Sequence, residues 1–387
     1  LSGHARDTQQ LHLGPDGWLY GNQGVFNYSL IGKPGATESD RTEMRAGVWR
    51  YHPKRHAFEI FATGCSNQWG IDFNEVGHLF ITHCRSAWGG GPTSYMVQGG
   101  HYWNQANSNH APFIAAGKVA WNPTDEPVFR NFLPSSAGYG HGEGGAGKPG
   151  SRALYGGHSH VGTMIYLGSN WPATYRNQLF THNLHGHQMN RQMNVRRGSG
   201  YETLHAGSDQ LFTEDPQFIG VDLKYGPDGA VYMIDWVDNQ HCHTNNVESW
   251  DRSNGRLYRM QWKDTYKPTK INLAAKTTAE LVELVTSKDE WYSRTARRLL
   301  QERADLTAVP LIDGNLAKAS GTPETLRLLW ARHLVTAEAP PASAFSHKAE
   351  EIRAWAITLS GDGHTLPAAR LQEVAESDPS SMVRLAL

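Results

Sequence analysis

Cysteine is scarce in this sequence, with three residues among 387, namely Cys65, Cys84 and Cys242. Three cysteines cannot build the dense disulfide framework of a small secreted domain. None of them stands in the C-x-x-C-H spacing that attaches a haem covalently, so no haem of that type belongs to this segment. Because 39% of the residues are hydrophobic, the chain can fold around an apolar core instead.

The sequence also lacks an excess of charge of either sign and any long apolar run. Its 36 Lys and Arg residues are balanced by 37 Asp and Glu residues, so no net charge attracts it to nucleic acid or to an anionic membrane. No apolar run approaches the roughly 20 residues that span a bilayer. We expect neither a nucleic-acid partner nor a membrane span here. The first residues carry no signal peptide, and a leader upstream stays open because the chain starts without Met.

Glycine and aromatic residues are abundant, with 40 Gly, 13 Trp and 15 Tyr. Most lie before residue 265, which is typical of short strands separated by tight turns. Two strand types recur, at 13–20, 72–80 and 224–232 and at 48–53, 189–193 and 256–260. The first type follows an acidic or glycine-containing turn of the kind that reverses a hairpin. A recurrence of about 50 residues predicts the blades of a β-propeller.

We therefore predict a partial β-propeller over residues 1–265, with about four visible blades. They extend to about residue 60, from about 61 to 120, from about 158 to 205 and from about 215 to 262. Residues 85–157 are rich in Gly, Asn, His and Pro and are predicted to be a long insertion in the second blade. A propeller with four blades instead of six would leave apolar sheet faces open. We therefore expect this segment alone to be poorly soluble or oligomeric.

The composition changes after Trp262, where helical patterns replace the strands. Thr277 and Glu280 have the spacing of a capping box. Helices are predicted over 291–302, 323–335 and 347–359, with a last one opening at Asp378 and Pro379. A recurring inner-helix pattern predicts an α-solenoid of HEAT type over residues 271–387.

A histidine cluster is the first candidate site. His158 and His160 precede one predicted strand, and His185 and His187 follow another. Side chains two residues apart in a strand point to the same face, so both pairs are expected to converge at one end of the propeller channel. Imidazoles suit proton transfer, metal ligation and sugar binding near neutral pH. These four residues are the predicted catalytic residues.

A second cluster combines carboxylates and imidazoles within nine residues of sequence, at Asp235, Asp238, His241 and His243. These side-chain types are metal ligands, and carboxylate oxygens favour calcium. We predict a possible metal site here. The alternative is that Asp235 only ends a strand and fixes its loop.

The longer motifs resemble a known family. They are residues 14–21, 48–53, 66–73, 158–168, 223–236 and 250–258. Together they are similar to the PVC-type membrane-bound dehydrogenases. That family implies a six-bladed propeller like that of the quinone-dependent glucose and sorbosone dehydrogenases, followed by HEAT repeats and often by a cytochrome. The resemblance also implies a periplasmic location, a carbohydrate substrate, an electron-accepting cytochrome in the full-length protein and pyrroloquinoline quinone as a cofactor.

Several positions depart from the pattern of the quinone enzymes. Their catalytic His before the Gly-Pro-Asp turn corresponds to Gln9 or Gln10 here, and His12 is expected to be only a strand residue. Ser66 replaces a quinone-binding Arg and leaves Asn67 beside it. Ile219 lies near the position of another such Arg, and His185 replaces a Lys. Because the quinone loses its guanidinium contacts, the departures predict weak binding or none. Asn67 and Arg256 are the remaining predicted cofactor-binding residues.

Three functions stay open from the sequence. The first is an oxidoreductase of the sugar or polyol dehydrogenase kind, with its site in the central channel. The second is a calcium-dependent lactonase or hydrolase that uses a histidine base and the oxygens of Asn67, Asp235 or Asp238. The third is a non-catalytic carbohydrate- or protein-binding propeller. In the third, sugars would stack on Trp18, Trp69, Trp88 and Trp103.

Overall fold

The computed structural model describes residues 8–65, 67–83, 93–102, 120–121, 160–184, 187–206, 210–213, 215–238, 251, 253–362 and 366–387. Strands come first in the chain and helices follow. The strands are β1 (Thr8–Leu13), β2 (Leu19–Ile31), β3 (Thr42–His52), β4 (Ala57–Thr63), β5 (Gln68–Phe73), β6 (Leu79–His83), β7 (Thr93–Met96), β8 (Gly100–His101), β9 (Ala120–Trp121), β10 (His160–Ile165), β11 (Leu179–Asn183), β12 (Gln188–Arg197), β13 (Gly200–His205), β14 (Leu211–Phe212), β15 (Gly220–Tyr225), β16 (Val231–Asp235) and β17 (Arg256–Met260).

The strands form four sheets. The first sheet has the order β1-β2-β3-β4-β8, and the second has the order β5-β6-β7. The third has the order β10-β11-β12-β13-β9, with β14 on β12, and the fourth has the order β15-β16-β17. Neighbouring strands pair antiparallel with two exceptions. β8 pairs parallel with β4, and β9 pairs parallel with β13. The described residues of the second and fourth sheets form three strands each.

The predicted hairpins are present in the structure. Gly14 N donates to Trp18 O at 2.8 Å, and Gly226 N donates to Ala230 O at 2.9 Å. Asp16 Oδ1 accepts from Trp18 N and Asp228 Oδ1 accepts from Ala230 N, so each aspartate closes its own turn. The recurring Gly-Pro-Asp-Gly sequence therefore marks the turn between the first two strands of a sheet.

Each sheet begins with a strand that carries an irregularity. Register shifts occur between Gln9 and His12 in β1, between Gln68 and Ile71 in β5, between Val161 and Met164 in β10 and between Gly220 and Asp222 in β15. Such bulges bend a strand and redirect its side chains. The first strands of the four sheets thus share one local geometry.

The sheets pack on one another in chain order through these first strands, with β1 against β5, β5 against β10 and β10 against β15. Glycines allow the close approach. A Cβ on Gly70 would lie 2.2 Å from Thr163 Oγ1, and a Cβ on Gly220 would lie 2.4 Å from His182 Nδ1. Farther out, Phe80, Tyr95 and Phe180 fill the space between the second and third sheets. The closure of these sheets into a propeller stays a prediction.

Apolar side chains are exposed on the first and fourth sheets. Ile234 and Leu257 are cross-strand neighbours on the fourth sheet and are 48% and 70% exposed. Leu11 and Ile60, on the first sheet, are 47% and 36% exposed. These are the sheets at the two ends of the chain-order series, so the exposure is compatible with the expected open faces, and the oligomeric state stays a prediction.

Seven α-helices follow the sheets in the described residues. They are α1 (Thr278–Val285), α2 (Glu290–Arg303), α3 (Ala308–Leu316), α4 (Thr322–Thr336), α5 (Glu350–Asp362), α6 (Ala368–Ser377) and α7 (Ser381–Leu385). The predicted capping box of Thr277 and Glu280 is confirmed at the start of α1. The last helix begins later than expected, because Ser380 rather than Asp378 is its N-cap and accepts from the amides of Met382 and Val383. None of the described helices is long and apolar enough to cross a membrane.

The helices cover the end of the sheets that carries the hairpin turns. Trp355 Nε1 donates to Val76 O in the second sheet, and Tyr292 Oη donates to Pro227 O in the fourth. Glu290 N donates to Leu167 O after the first strand of the third sheet. All sheets therefore share one helix-covered end.

Trp18 fixes the first sheet to the same helices. Its Nε1 donates to Asp362 Oδ1 at 2.7 Å, and the guanidinium groups of Arg50 and Arg55 lie 4.2 Å and 4.8 Å from its ring centroid. Because Trp18 is 1% exposed, it is not available to stack on a sugar. Its expected role in carbohydrate binding is wrong, since the indole is used to dock helix α5.

Arg294 of α2 makes the most central contact between helices and sheets. Its guanidinium donates to Asp72 Oδ1 at 2.8 Å and to Phe73 O at 2.7 Å, both on β5, and lies 3.3 Å from His12 Nε2 on β1. Asp72 is buried and also accepts from Ile165 N on β10. One ion pair thus joins a helix to the first strands of three sheets.

We expect Arg294→Met to lower the free energy of unfolding by about 3 kcal/mol, because it leaves the Asp72 carboxylate buried without its cation. Urea unfolding followed by circular dichroism measures the change.

Arg298→Met is the matched control, since Arg298 lies on the same helix, is 52% exposed and pairs with the equally exposed Glu302. It is expected to change stability by less than about 0.5 kcal/mol. Equal effects of the two substitutions would contradict a central role for Arg294.

Candidate functional site at the helix-distal end

The end of the sheets opposite the helices holds most of the predicted site residues that the structure describes. We call it the helix-distal end and define it by the starts of the first strands, at Thr8, Gln68, His160 and Gly220. Each first strand runs from this end to the turn that the helices cover. The first strands of all four sheets therefore begin at the helix-distal end.

Unusual backbone conformations lie at this end. Gln10, Cys65, Asn67 and His187 have φ angles of 45°, 68°, 44° and 50°. Left-handed conformations cost a residue with a Cβ about 1 kcal/mol, and they often occur at functional sites. Half of the positive-φ residues other than glycine in the described part of the chain lie here. This supports a functional role for the helix-distal end.

Two of the four predicted catalytic histidines lie in the described residues. His160 begins β10, pairs with Asn183 across to β11 and is fully buried. Asn183 pairs in turn with Gln188, the residue after His187. The structure therefore brings His160 and His187 to the same end of the third sheet, whereas His158 and His185 lie outside the described residues.

His187 has a fixed orientation. Its Nδ1 lies 2.5 Å from Phe218 O, and because a carbonyl accepts only, Nδ1 carries the proton and donates. The neutral ring then has its lone pair on Nε2. The side chain is only partly buried. His187 thus has the tautomer of a general base that a carbonyl holds in place.

His182 is a different kind of histidine. It is fully buried in β11, faces Gly220 and makes an edge contact with Phe218 at 6.0 Å. Burial lowers its pKa to about 4, against the opposing effect of backbone groups of Asp222 and Gln188. The imidazole is therefore neutral near pH 7 and packs between the third and fourth sheets.

Asn67 contributes to the backbone geometry of this end. Its Oδ1 accepts from Val25 N at 3.0 Å, which links the segment before β5 to β2. Next to it, the fully buried Gln68 donates from Nε2 to Gly64 O at 2.7 Å. The side-chain oxygen of Asn67 therefore has a structural partner. Its predicted role in cofactor binding stays a prediction.

Asp235 and Arg256 form an ion pair. Arg256 Nε donates to Asp235 Oδ2 at 2.5 Å, and its Nη1 donates to Asp215 Oδ2 at 2.6 Å. Asp235 Oδ1 accepts from Ile219 N. With both carboxylate oxygens in use, Asp235 is a poor cation ligand, so its predicted metal role is not supported. Arg256 links the end of β16 to Asp215, and its predicted role in cofactor binding stays a prediction.

Asp238 is also engaged in the chain itself. It is buried, and its Oδ2 accepts from Asp251 N at 3.0 Å. His241 and His243 lie outside the described residues. Among the residues that are described, no group of three or more His, Cys, Asp or Glu side chains could hold a metal ion.

A tricarboxylate quinone does not fit the described residues. Ile219 is fully buried and packs with Val161 and Leu184, so it offers an aliphatic surface where a cation is needed. Arg256 is neutralised by two carboxylates. The described part of the helix-distal end therefore lacks a pair of uncommitted guanidinium groups to bind the quinone carboxylates.

Asp222 is a further candidate residue, which the sequence analysis did not single out. It lies in β15 at the bulge, and its Oδ1 accepts from Gln10 Nε2 on β1 at 2.5 Å. A signal existed, since Gln10 and Asp222 each lie four residues before the first glycine of a Gly-Pro-Asp-Gly turn. The two residues therefore occupy equivalent positions in the repeat, although the repeat alone does not say that they meet.

His182 predicts a pH-dependent stability. Its folded-state pKa of about 4 lies below the ordinary value of 6.5, so the unfolded chain binds a proton there that the folded chain does not. Stability is therefore complete above about pH 6.5 and falls as the pH drops towards 4, by up to about 1.4 kcal/mol per pH unit. We expect His182→Gln to reduce this slope in urea unfolding measured at pH 7, 6 and 5.

The control is His56→Asn, which replaces an exposed histidine in the turn between β3 and β4. It should leave the slope unchanged. If His182→Gln also leaves the slope unchanged, the buried imidazole is charged in the folded protein and the assignment is wrong.

Solved structures of sugar dehydrogenases resemble the chain weakly. A putative oxidoreductase (glucose dehydrogenase) from Thermus thermophilus has 18% sequence identity and a TM-score of 0.37, with 66% of this chain and 65% of that chain covered. The PQQ-bound aldose sugar dehydrogenase of Streptomyces coelicolor has 14% identity and a TM-score of 0.34, with 66% and 62% covered. The chain thus spans less than two thirds of their length. At TM-scores this low, the similarity establishes neither a shared fold nor a shared activity.

Sequence comparison gives a family but no activity. No curated protein matches the chain. Residues 3–264 match a family model described as Domain of unknown function (DUF7133). Since this match covers well over half of the sequence, the chain belongs to the DUF7133 family.

Proposed function

We propose that the chain is part of an oxidoreductase that removes hydrogen from a hydroxyl group of a sugar or polyol, with its site at the helix-distal end. The resemblance of its motifs to PVC-type dehydrogenases supports this, together with the six-bladed propeller and HEAT solenoid that this resemblance implies. The same resemblance supports a periplasmic location and a cytochrome as electron acceptor of the full-length protein.

The observation that carries the proposal is the hydrogen bond from His187 Nδ1 to the carbonyl oxygen of Phe218. Oxidation of an alcohol requires a base that accepts the hydroxyl proton as hydride leaves carbon. The Phe218 carbonyl holds the Nδ1 proton of His187, so Nε2 is the basic atom. Gln10 cannot take this role, because an amide is not a base near neutral pH. His187 therefore replaces the histidine that related enzymes carry before the Gly-Pro-Asp turn.

The acceptor of the hydride is not supplied by the residues that the structure describes. Pyrroloquinoline quinone would supply that chemistry, but Ile219 and the paired Arg256 do not suit its carboxylates. We therefore assign to the described residues only substrate binding, orientation and acceptance of the proton.

We expect His187→Asn to lower kcat for sugar oxidation by at least about 100-fold, the usual contribution of a general base. Asparagine tolerates the left-handed backbone, so the fold is preserved. Dye reduction by the full-length protein measures the rate over a panel of aldoses and polyols. The assay is run with and without added quinone and calcium, and added quinone is expected to stimulate the rate weakly or not at all.

His56→Asn is the matched control, because His56 has a similar φ of 53° and lies exposed in a distant turn. Turnover by His187→Asn at the rate of the control would contradict the assignment. Submicromolar quinone binding with sugar-dependent dye reduction would show that residues other than Ile219 and Arg256 bind the quinone carboxylates.

A non-catalytic carbohydrate-binding propeller is the second candidate. The pairing of Arg256 with two carboxylates at the helix-distal end, where Ile219 is aliphatic, favours it over a quinone enzyme. Sugar binding without turnover, with any acceptor tried, would establish it. A calcium-dependent hydrolase stays a proposal without a described metal site.

A further inference from the structure

Asp222 occupies a central position that no predicted function uses. It lies on the first strand of the fourth sheet, and its side chain reaches the first strand of the first sheet through Gln10. The other end of the Gln10 amide, Oε1, accepts from Ile71 N on β5 at 2.6 Å. Gln10 is therefore fixed between two sheets, and its Nε2 is held at the Asp222 carboxylate.

The Asp222 carboxylate has unused acceptor capacity. Its Oδ1 accepts from Gln10 Nε2 and from Leu223 N at 2.8 Å. Within the described ranges, Oδ2 has no hydrogen-bond donor, and the residue is only partly buried. Because an ionised carboxylate accepts about four hydrogen bonds, a ligand with donor groups can still bind to it. Burial raises the pKa of Asp222, and the nearby Lys224 opposes this shift.

The residue next to Asp222 on the same face of β15 suits a ligand with hydroxyl groups. Lys224, two residues along the strand, is exposed and can donate. Each hydroxyl group of a sugar or polyol can both donate and accept, which matches a carboxylate beside an ammonium group.

Resting on the proposed function, we propose that Asp222, positioned by Gln10, binds hydroxyl groups of the sugar or polyol at the axis of the sheets. Two hydroxyl groups donate to Oδ2, while Gln10 keeps Oδ1 occupied and orients the carboxylate. An anionic ligand is disfavoured by the charge of Asp222, and a small cation is disfavoured by Lys224.

Asp222→Asn tests this with little effect on the fold, because the amide oxygen still accepts from Gln10 and Leu223 while the charge is lost. Isothermal titration of the full-length protein with D-glucose, D-galactose and D-sorbitol measures affinity. We expect a loss of about tenfold or more for the sugar that binds best, since hydrogen bonds to a charged group are strong. Asp222→Glu, which keeps the charge, is expected to retain more of the affinity.

Glu43→Gln removes the same charge from an exposed carboxylate on β3 and should change affinity by less than about twofold. A second readout is labelling of carboxylates by a carbodiimide and glycine ethyl ester, located by mass spectrometry. Asp222 should be labelled in the free protein and protected by the bound sugar.

The outcomes separate this inference from the proposed function. Sugar binding that Asp222→Asn leaves unchanged, without protection of Asp222, overturns the recognition role and leaves the oxidoreductase proposal standing. It would make the pair of Gln10 and Asp222 a link between sheets only. If the wild-type protein binds none of the three ligands, the proposed function and the recognition role both fail.

Discussion

The ion pair of Arg294 and Asp72 sets how the two halves of the described structure fit together. Transfer of a guanidinium and a carboxylate out of water is costly, so such a pair persists only where further hydrogen bonds satisfy both groups. Phe73 O accepts from Arg294, and Ile165 N donates to Asp72. These backbone partners belong to the first strands of two sheets. The helix therefore docks in one position on the turn end of the sheets.

The end of the sheets opposite the helices differs in its backbone geometry. The first strands enter the axis at this end, where bulges and left-handed residues redirect side chains away from regular strand geometry. Gln10 shows the consequence. Its strained backbone brings the amide between Ile71 and Asp222, so an otherwise inert side chain becomes the positioning group for a carboxylate.

The sequence predicts local features, such as turns and helix caps, better than contacts between side chains on different elements. The Gly-Pro-Asp-Gly turns and the capping box of Thr277 were correct, because both are decided by residues within one turn of chain. Helix α3 was missed since Pro310 and Gly314 hide its periodicity. The partners of Trp18, Asp235 and Arg256 could not be predicted, because each lies on a different element and depends on packing. The same limit applies to Asp222, whose partner is 212 residues away.

The charge of the helix-distal end bears on what it can bind. Arg256 is held by Asp215 and Asp235, so its positive charge is cancelled within the fold. Asp222 keeps an acceptor oxygen without a donor among the described residues, and His187 has its basic nitrogen at Nε2. Beside Asp222, Lys224 is exposed and can donate, so groups that both donate and accept hydrogen bonds suit these residues. Hydroxyl groups donate, and quinone carboxylates only accept. A quinone carboxylate would be repelled by the charge of Asp222, whereas a hydroxyl group can donate to it, so the proposed substrate contact suits this carboxylate better than a contact with the quinone does.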